Sequence, residues 1–159
     1  MSLSVPVGSD HQLARLLQIG VVLEEVVEAR AAKHAEETAD LDDDVRAMLE
    51  DAAAESAEHR ERLEELIDEL NAETVPFEEI ERLVEAQYEA DEDFDDVLYD
   101  QLCNEETAYK FYDDLIDAID ESDVAFSLDR ERLVETLASI REEEAAGVEE
   151  VTELMEGRR

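Results

Sequence analysis

The stretch LYDQLCNEETAYKFYDDLIDAI, residues 98–119, decides how the rest of the chain is read. Taken in alternating steps of four and three, the spacing that keeps side chains on one face of a helix, it gives Leu98, Leu102, Glu105, Tyr109, Tyr112, Ile116 and Ile119. The spacing predicts an amphipathic helix whose apolar stripe carries a glutamate at its middle. A carboxylate there loses its water and regains nothing unless another group pairs with it.

The same walk finds three more such helices. The first, from a cap at Ser9 or Asp10 to Glu37, presents Leu13, Leu17, Gly20, Glu24, Val27, Ala31 and His34. The second, about residues 43–71, presents Val45, Leu49, Ala52, Ser56, His59, Leu63, Leu66 and Leu70. The stretch already quoted belongs to a helix over about residues 93–120. The last, about 128–156 with Ser127 as its cap, presents Leu133, Leu137, Ile140, Glu144, Gly147, Val151 and Leu154. FEEIERLVEAQYEA, residues 77–90, reads as a short amphipathic helix of its own behind Pro76, and its Phe77, Ile80, Leu83, Val84 and Tyr88 would cover a bundle face or form an interface. No segment reads as a strand.

Short connections between the first and second helices, and between the third and fourth, predict two antiparallel hairpins. The long link between them makes the expected fold an all-α four-helix bundle with one crossover that contains the short helix. Residues 1–8 are expected to be a flexible lead-in and residues 9–157 a single domain.

Each stripe is interrupted near its midpoint by an ionisable group: Glu24, His59, Glu105 and Glu144. Midpoints of antiparallel helices of similar length lie at one height, so the four should meet in one layer. Three carboxylates meeting in a dry core repel one another unless protons or a cation neutralise them. Carboxylate oxygen with imidazole nitrogen suits iron or manganese, with zinc as a further option. For any single position the alternative is a rim glutamate that reaches past the stripe to water; it is the common height that favours a site.

Composition narrows the function classes. The 159 residues carry 49 acidic and 13 basic side chains, a formal net charge of -36, yet 44% of the chain is hydrophobic. A disordered acidic tail lacks the apolar residues for a core, so this charge belongs on a folded surface. Such self-repulsion is screened in concentrated salt, which points to a halophile's cytoplasm. No basic patch is available for nucleic acid, and an anionic membrane would repel the chain. The N-terminus does not resemble a secretory signal, and the apolar run near Ile19 is broken by Glu24 and Glu25. Cys103, the single cysteine, permits neither an internal disulfide nor a thiolate cluster. His11 falls on a polar side, His34 lies too far along its helix to share a site with Glu24, and the acidic runs LDDD, DEDFDD and EEE read as solvated surface.

NEETAYKFY, residues 104–112, resembles the first-helix motif of ferritin-like carboxylate proteins of the bacterioferritin and rubrerythrin type, with Glu105 followed seven residues later by Tyr112. The resemblance implies a di-iron site in which each hairpin offers one glutamate from its first helix and a Glu-x-x-His pair from its second. It implies Glu24, His59, Glu105 and Glu144 as ligands, Tyr112 as a group orienting a ligand through its hydroxyl, and oxidation of ferrous iron coupled to reduction of oxygen or peroxide. The chain departs from the pattern at two places. Ser56 stands where the second helix should have its glutamate, with Glu55 on the flank able to reach in, and Gly147 stands where the fourth should have its histidine. Glu24 is followed seven residues on by Ala31 rather than a tyrosine. One ion, two ions, or a bundle that has lost its metal and serves as a dimerisation or partner-binding module all fit these residues, as does storage or sensing of a metal without turnover.

Overall fold

Ser9 opens the first helix: its hydroxyl accepts a hydrogen bond from the Gln12 N–H at 3.1 Å, and α1 runs from Asp10 to Glu37. In the computed structural model, which describes residues 7–72 and 97–157 together with Glu78 and Arg82, three more helices follow. These are α2 (Asp43–Glu69), α3 (Val97–Asp120) and α4 (Arg130–Gly157), and among the described residues there is no strand. The expected first turn of α3, and the short helix over residues 77–90 apart from Glu78 and Arg82, lie outside the described residues. So do residues 1–6 of the lead-in. Packing reaches back to Val7, which is buried, donates its N–H to the Ala118 carbonyl at 3.3 Å and accepts from the Ser122 hydroxyl.

The α1–α2 turn is closed by the Thr38 N–H bonding the His34 carbonyl, with Asp40 at φ 57. Aspartate tolerates this left-handed conformation through its short polar side chain. Ser127 does not cap α4. Its hydroxyl instead accepts from the Asn71 N–H at 2.8 Å and its own N–H points to the Asp10 carboxylate at 3.1 Å, so it ties two other helix ends together. The cap falls to Asp129, whose carboxylate accepts from the Glu131 N–H at 3.2 Å.

Helix α1 packs along α2 and α3 along α4, while α1 also meets α3 and α2 meets α4. Directions follow from the bonds between them. Val7 ahead of α1 meets Ala118 near the end of α3, whereas Arg30 and His34 late in α1 meet Asp100 early in α3. Asn71 meets Ser127 and Arg62 meets Ser139, which sets α2 against α4 in the same sense. Each of these four neighbouring pairs is antiparallel. Leu70 and Val97, which flank the link between the hairpins, therefore lie at opposite ends of a bundle about 40 Å long.

The core comes in two parts. One cluster joins Leu13, Leu17, Leu63, Leu66, Phe111, Leu115, Ile119, Leu133, Leu137 and Ile140, and the other joins Ala31, Ala35, Val45, Met48, Leu49, Leu98 and Val151. Between them every stripe turns polar. On α3 the stripe steps from Glu105 to Ala108, which is buried, rather than to Tyr109, which is 37% exposed. At Gly20 the helices pack closely: a methyl group on it would stand 3.1 Å from both Leu63 Cδ1 and Phe111 Cε1.

Candidate metal centre

The polar layer assembles from one side chain at the middle of each helix. Glu24 of α1, His59 of α2, Glu144 of α4 and Tyr112 of α3 are all buried, at 0%, 0%, 2% and 0% exposure. Such depth is unusual for charged groups and calls for partners. The His59 Nδ1 atom lies 3.3 Å from Glu24 Oε1 and 3.0 Å from Glu144 Oε1, and the Tyr112 hydroxyl donates to Glu24 Oε1 at 2.7 Å.

Hydrogen bonding leaves one atom of this cluster unanswered. Nδ1 of His59 faces a carboxylate oxygen on either side and the Glu144 carboxyl also bonds Glu24 and Glu105, yet Glu24 Oε2 is buried with no partner. A cation would answer it. Donor atoms of Glu24, His59 and Glu144 all lie within 4.8 Å of one another. Two ligands bound about 2.1 Å from an ion at tetrahedral or octahedral angles stand about 3.0–3.4 Å apart, the spacing found on either side of Nδ1. The donor set fits a divalent transition metal, since hard carboxylate oxygen and imidazole nitrogen are the ligands such ions share.

Burial pushes the Glu144 carboxyl far above the usual carboxylate range, and the charges of Glu24 and Glu105 push it further. Burial works to lower the His59 imidazole, but its bonds to Glu24 and Glu143 outweigh that and raise it. Tyr112 is pushed well up by burial and by Glu24, so it stays a hydrogen-bond donor. Without a cation the layer holds protons instead.

His59 has a second face. Its Nε2 atom lies 2.7 Å from Glu143 Oε2 and 3.7 Å from Glu55 Oε1, and Glu143 is held in turn by Arg62 at 2.9 Å. A carboxylate on the far nitrogen fixes the orientation of a ligating imidazole and raises its basicity. Glu143 is lowered: burial works against this, but Arg62 and His59 prevail. The carboxyl of Glu55 is pushed up to about 7, mainly by burial, with neighbouring carboxylates adding to it and His59 opposing. Glu55, His59 and Glu143 form a second group of possible donors, outside the first and open to solvent on its carboxylate side.

Of the residues expected in the site, Glu24, His59 and Glu144 converge and Tyr112 braces Glu24. Glu105 is buried in the layer but joins neither donor group; it accepts from Gln101 Nε2 at 2.8 Å, bonds the Glu144 carboxyl and lies against Gly147. Glu55 reaches only the outer nitrogen of His59, because its position one turn earlier on α2 puts it on the rim. Ser56 is buried one turn from His59. Glu143, in an acidic run that reads as solvated surface, is the bond that spacing misses; the signal was its place beside Glu144 and opposite Arg62.

The remaining candidates stay apart from this layer. Asp100, 1% exposed, binds Arg30 through both oxygens and His34 Nε2 at 2.8 Å in the smaller core half. His11 is exposed, and Cys103 is half-buried. Among the described residues no helix is long and apolar enough to cross a membrane. Comparison of this chain with protein-family models, with curated proteins and with solved structures gives no significant match, so the chemistry of the centre is argued from its own residues.

Proposed function

We propose that this chain is a ferritin-like bundle that holds iron or manganese between its helices through Glu24, His59 and Glu144. The observation that carries the reading is the convergence of three donors from three helices in a dry layer where Glu24 Oε2 has no partner. The ferritin-like assignment is supported by two antiparallel hairpins whose link joins opposite ends of the bundle.

Each neighbouring residue then has a use. Tyr112 holds Glu24 in place through its hydroxyl, and Glu143, fixed by Arg62, holds the imidazole through Nε2 so that Nδ1 faces inward. Apolar clusters above and below exclude water and strengthen every charge interaction in the layer. Bound iron would supply reversible one-electron chemistry there, and the reaction class this supports is oxidation of ferrous iron with oxygen or peroxide as the electron acceptor. The acidic surface suits concentrated salt, and thermal stability should rise with potassium chloride.

Elemental analysis of protein purified without chelator, beside Glu144→Ala, tests the reading. Near-stoichiometric iron or manganese that vanishes in the variant supports it; a metal-free protein after reconstitution with ferrous iron contradicts it. The second reading, a metal-free bundle serving as a dimerisation or partner-binding module, draws support from Ser56, Gly147 and the ability of His59 to bond carboxylates through both nitrogens. In that case chelator changes neither stability nor assembly.

A further inference from the structure

A second ion beside the first would need donors on the α3 side of Glu144, and there the chain has filled the space with its own groups. A methyl group on Gly147 would stand 2.7 Å from Glu105 Oε2 and 2.8 Å from its Cδ. The Glu105 carboxylate thus occupies the volume a ligating side chain at 147 would use. It is kept there by Gln101, a fully buried neutral amide whose Nε2 donates to Glu105 Oε1 at 2.8 Å while its own Oε1 has no partner. On the α2 side, buried Ser56 offers a short hydroxyl where a bridging carboxylate would have to reach.

We infer that the centre takes one ion per chain, and that Gly147, Gln101 and Ser56 set that number by leaving Glu105 engaged within the protein. This rests on the metal-binding reading above. Closely spaced pairs of ions need bridging anions between them, and Glu105, bonded to both Gln101 and Glu144, is not free to bridge.

The number limits the chemistry. Reduction of peroxide to two waters consumes two electrons and two protons, and one ferrous ion yields one electron in becoming ferric. Two-electron reduction in a single event is therefore not assigned to this centre.

The test is titration with manganese(II) in concentrated potassium chloride with excess magnesium to occupy surface carboxylates, read by equilibrium dialysis and electron paramagnetic resonance. The wild type should bind one ion with the spectrum of an isolated centre. Glu105→Gln should keep one ion per chain, since Glu105 bonds the ligand Glu144 but is not itself a ligand. The pair Ser56→Glu with Gly147→His should admit a second ion and give a spin-coupled spectrum. Two ions in the wild type, or loss of the ion in Glu105→Gln, would overturn the inference and leave metal binding intact. No bound manganese at all would overturn both. If the paired variant does not fold, the wild-type ratio and Glu105→Gln still decide.

Discussion

At mid-height the bundle contains two corners made from the same kinds of helix and completed in opposite ways. Where α1, α2 and α4 meet, an imidazole stands between carboxylates on both of its nitrogens, with a tyrosine hydroxyl bracing one of them. Where α3 and α4 meet, the carboxylate of Glu105 is held by a neutral amide and lies on a glycine. The first corner keeps its charges and needs a cation or protons to balance them. The second offers one acid, held by Gln101 of its own helix and by Glu144 across from it. A buried acid is thus evidence for a metal only where its lone pairs are left over, as at Glu24 and not at Glu105.

Removing the centre of the first corner should break this contrast most visibly. His59→Ala leaves Glu24 and Glu144 without their common partner and should cost about 3–5 kcal/mol in chemical unfolding, besides abolishing manganese binding. Gln101→Leu in the second corner should leave manganese affinity within about threefold of wild type. Equal losses of affinity in both variants would erase the distinction.

Next in size is the tyrosine. Tyr112→Phe deletes the hydroxyl that positions Glu24 and should weaken manganese binding about 10–100-fold, measured by competition with a chelator of known affinity. An unchanged affinity would mean that Glu24 is oriented without it.

Rising pH should weaken the empty first corner and leave the loaded one nearly unchanged. His59 and Glu144 are both raised in the fold, so the folded chain binds more protons than the unfolded one and the metal-free protein loses stability as pH rises, from about 4.5 for Glu144 and from about 6.5 for His59. Glu55, raised to about 7, adds a slope of the same sign. Glu143 is lowered, and its contribution is lost only as pH falls into the acid range. The groups facing His59 and Glu144 are Glu24 from α1, Glu55 and Arg62 from α2, Glu105 and Tyr112 from α3, and Glu143 from α4. Metal binding requires both His59 and Glu144 deprotonated, so affinity should rise over the window in which the empty form weakens. Melting curves between neutral and mildly alkaline pH would fall without manganese and stay nearly level with saturating manganese, and parallel slopes would contradict this.

The smallest effect separates two glycines. At Gly147 an added methyl meets the Glu105 carboxylate, which must give up its place beside Gln101, so Gly147→Ala should cost about 1 kcal/mol after the gain in helix propensity. At Gly20 the same change meets Leu63 and the Phe111 ring in the packed core and should cost about 1–3 kcal/mol. Unfolding curves of the two variants, compared directly, check the order.

The layer itself was legible in the sequence because it depends on period alone. Glu24, His59, Glu105 and Glu144 each break an apolar stripe near a helix midpoint, and antiparallel packing brings midpoints together. What the stripes cannot show is a bond made from a neighbouring column. Glu143 reaches His59 from the position before Glu144, and Asp100 reaches Arg30 and His34 from a second buried face of α3. Choices between adjacent residues, such as Ala108 over Tyr109 as a core position, depend on how closely two helices approach. The removal of Glu105 from the donor set depends on Gly147 one helix away, a matter of side-chain volume between elements that spacing along one element does not contain.

The most direct measurement is an anomalous difference map from a crystal soaked in manganese(II). A single strong peak in contact with Glu24, His59 Nδ1 and Glu144, with Glu105 still bonded to Gln101, is the predicted result. No peak in the layer, or manganese only on the outer pair Glu55 and Glu143, would contradict the assignment of this layer as a metal centre.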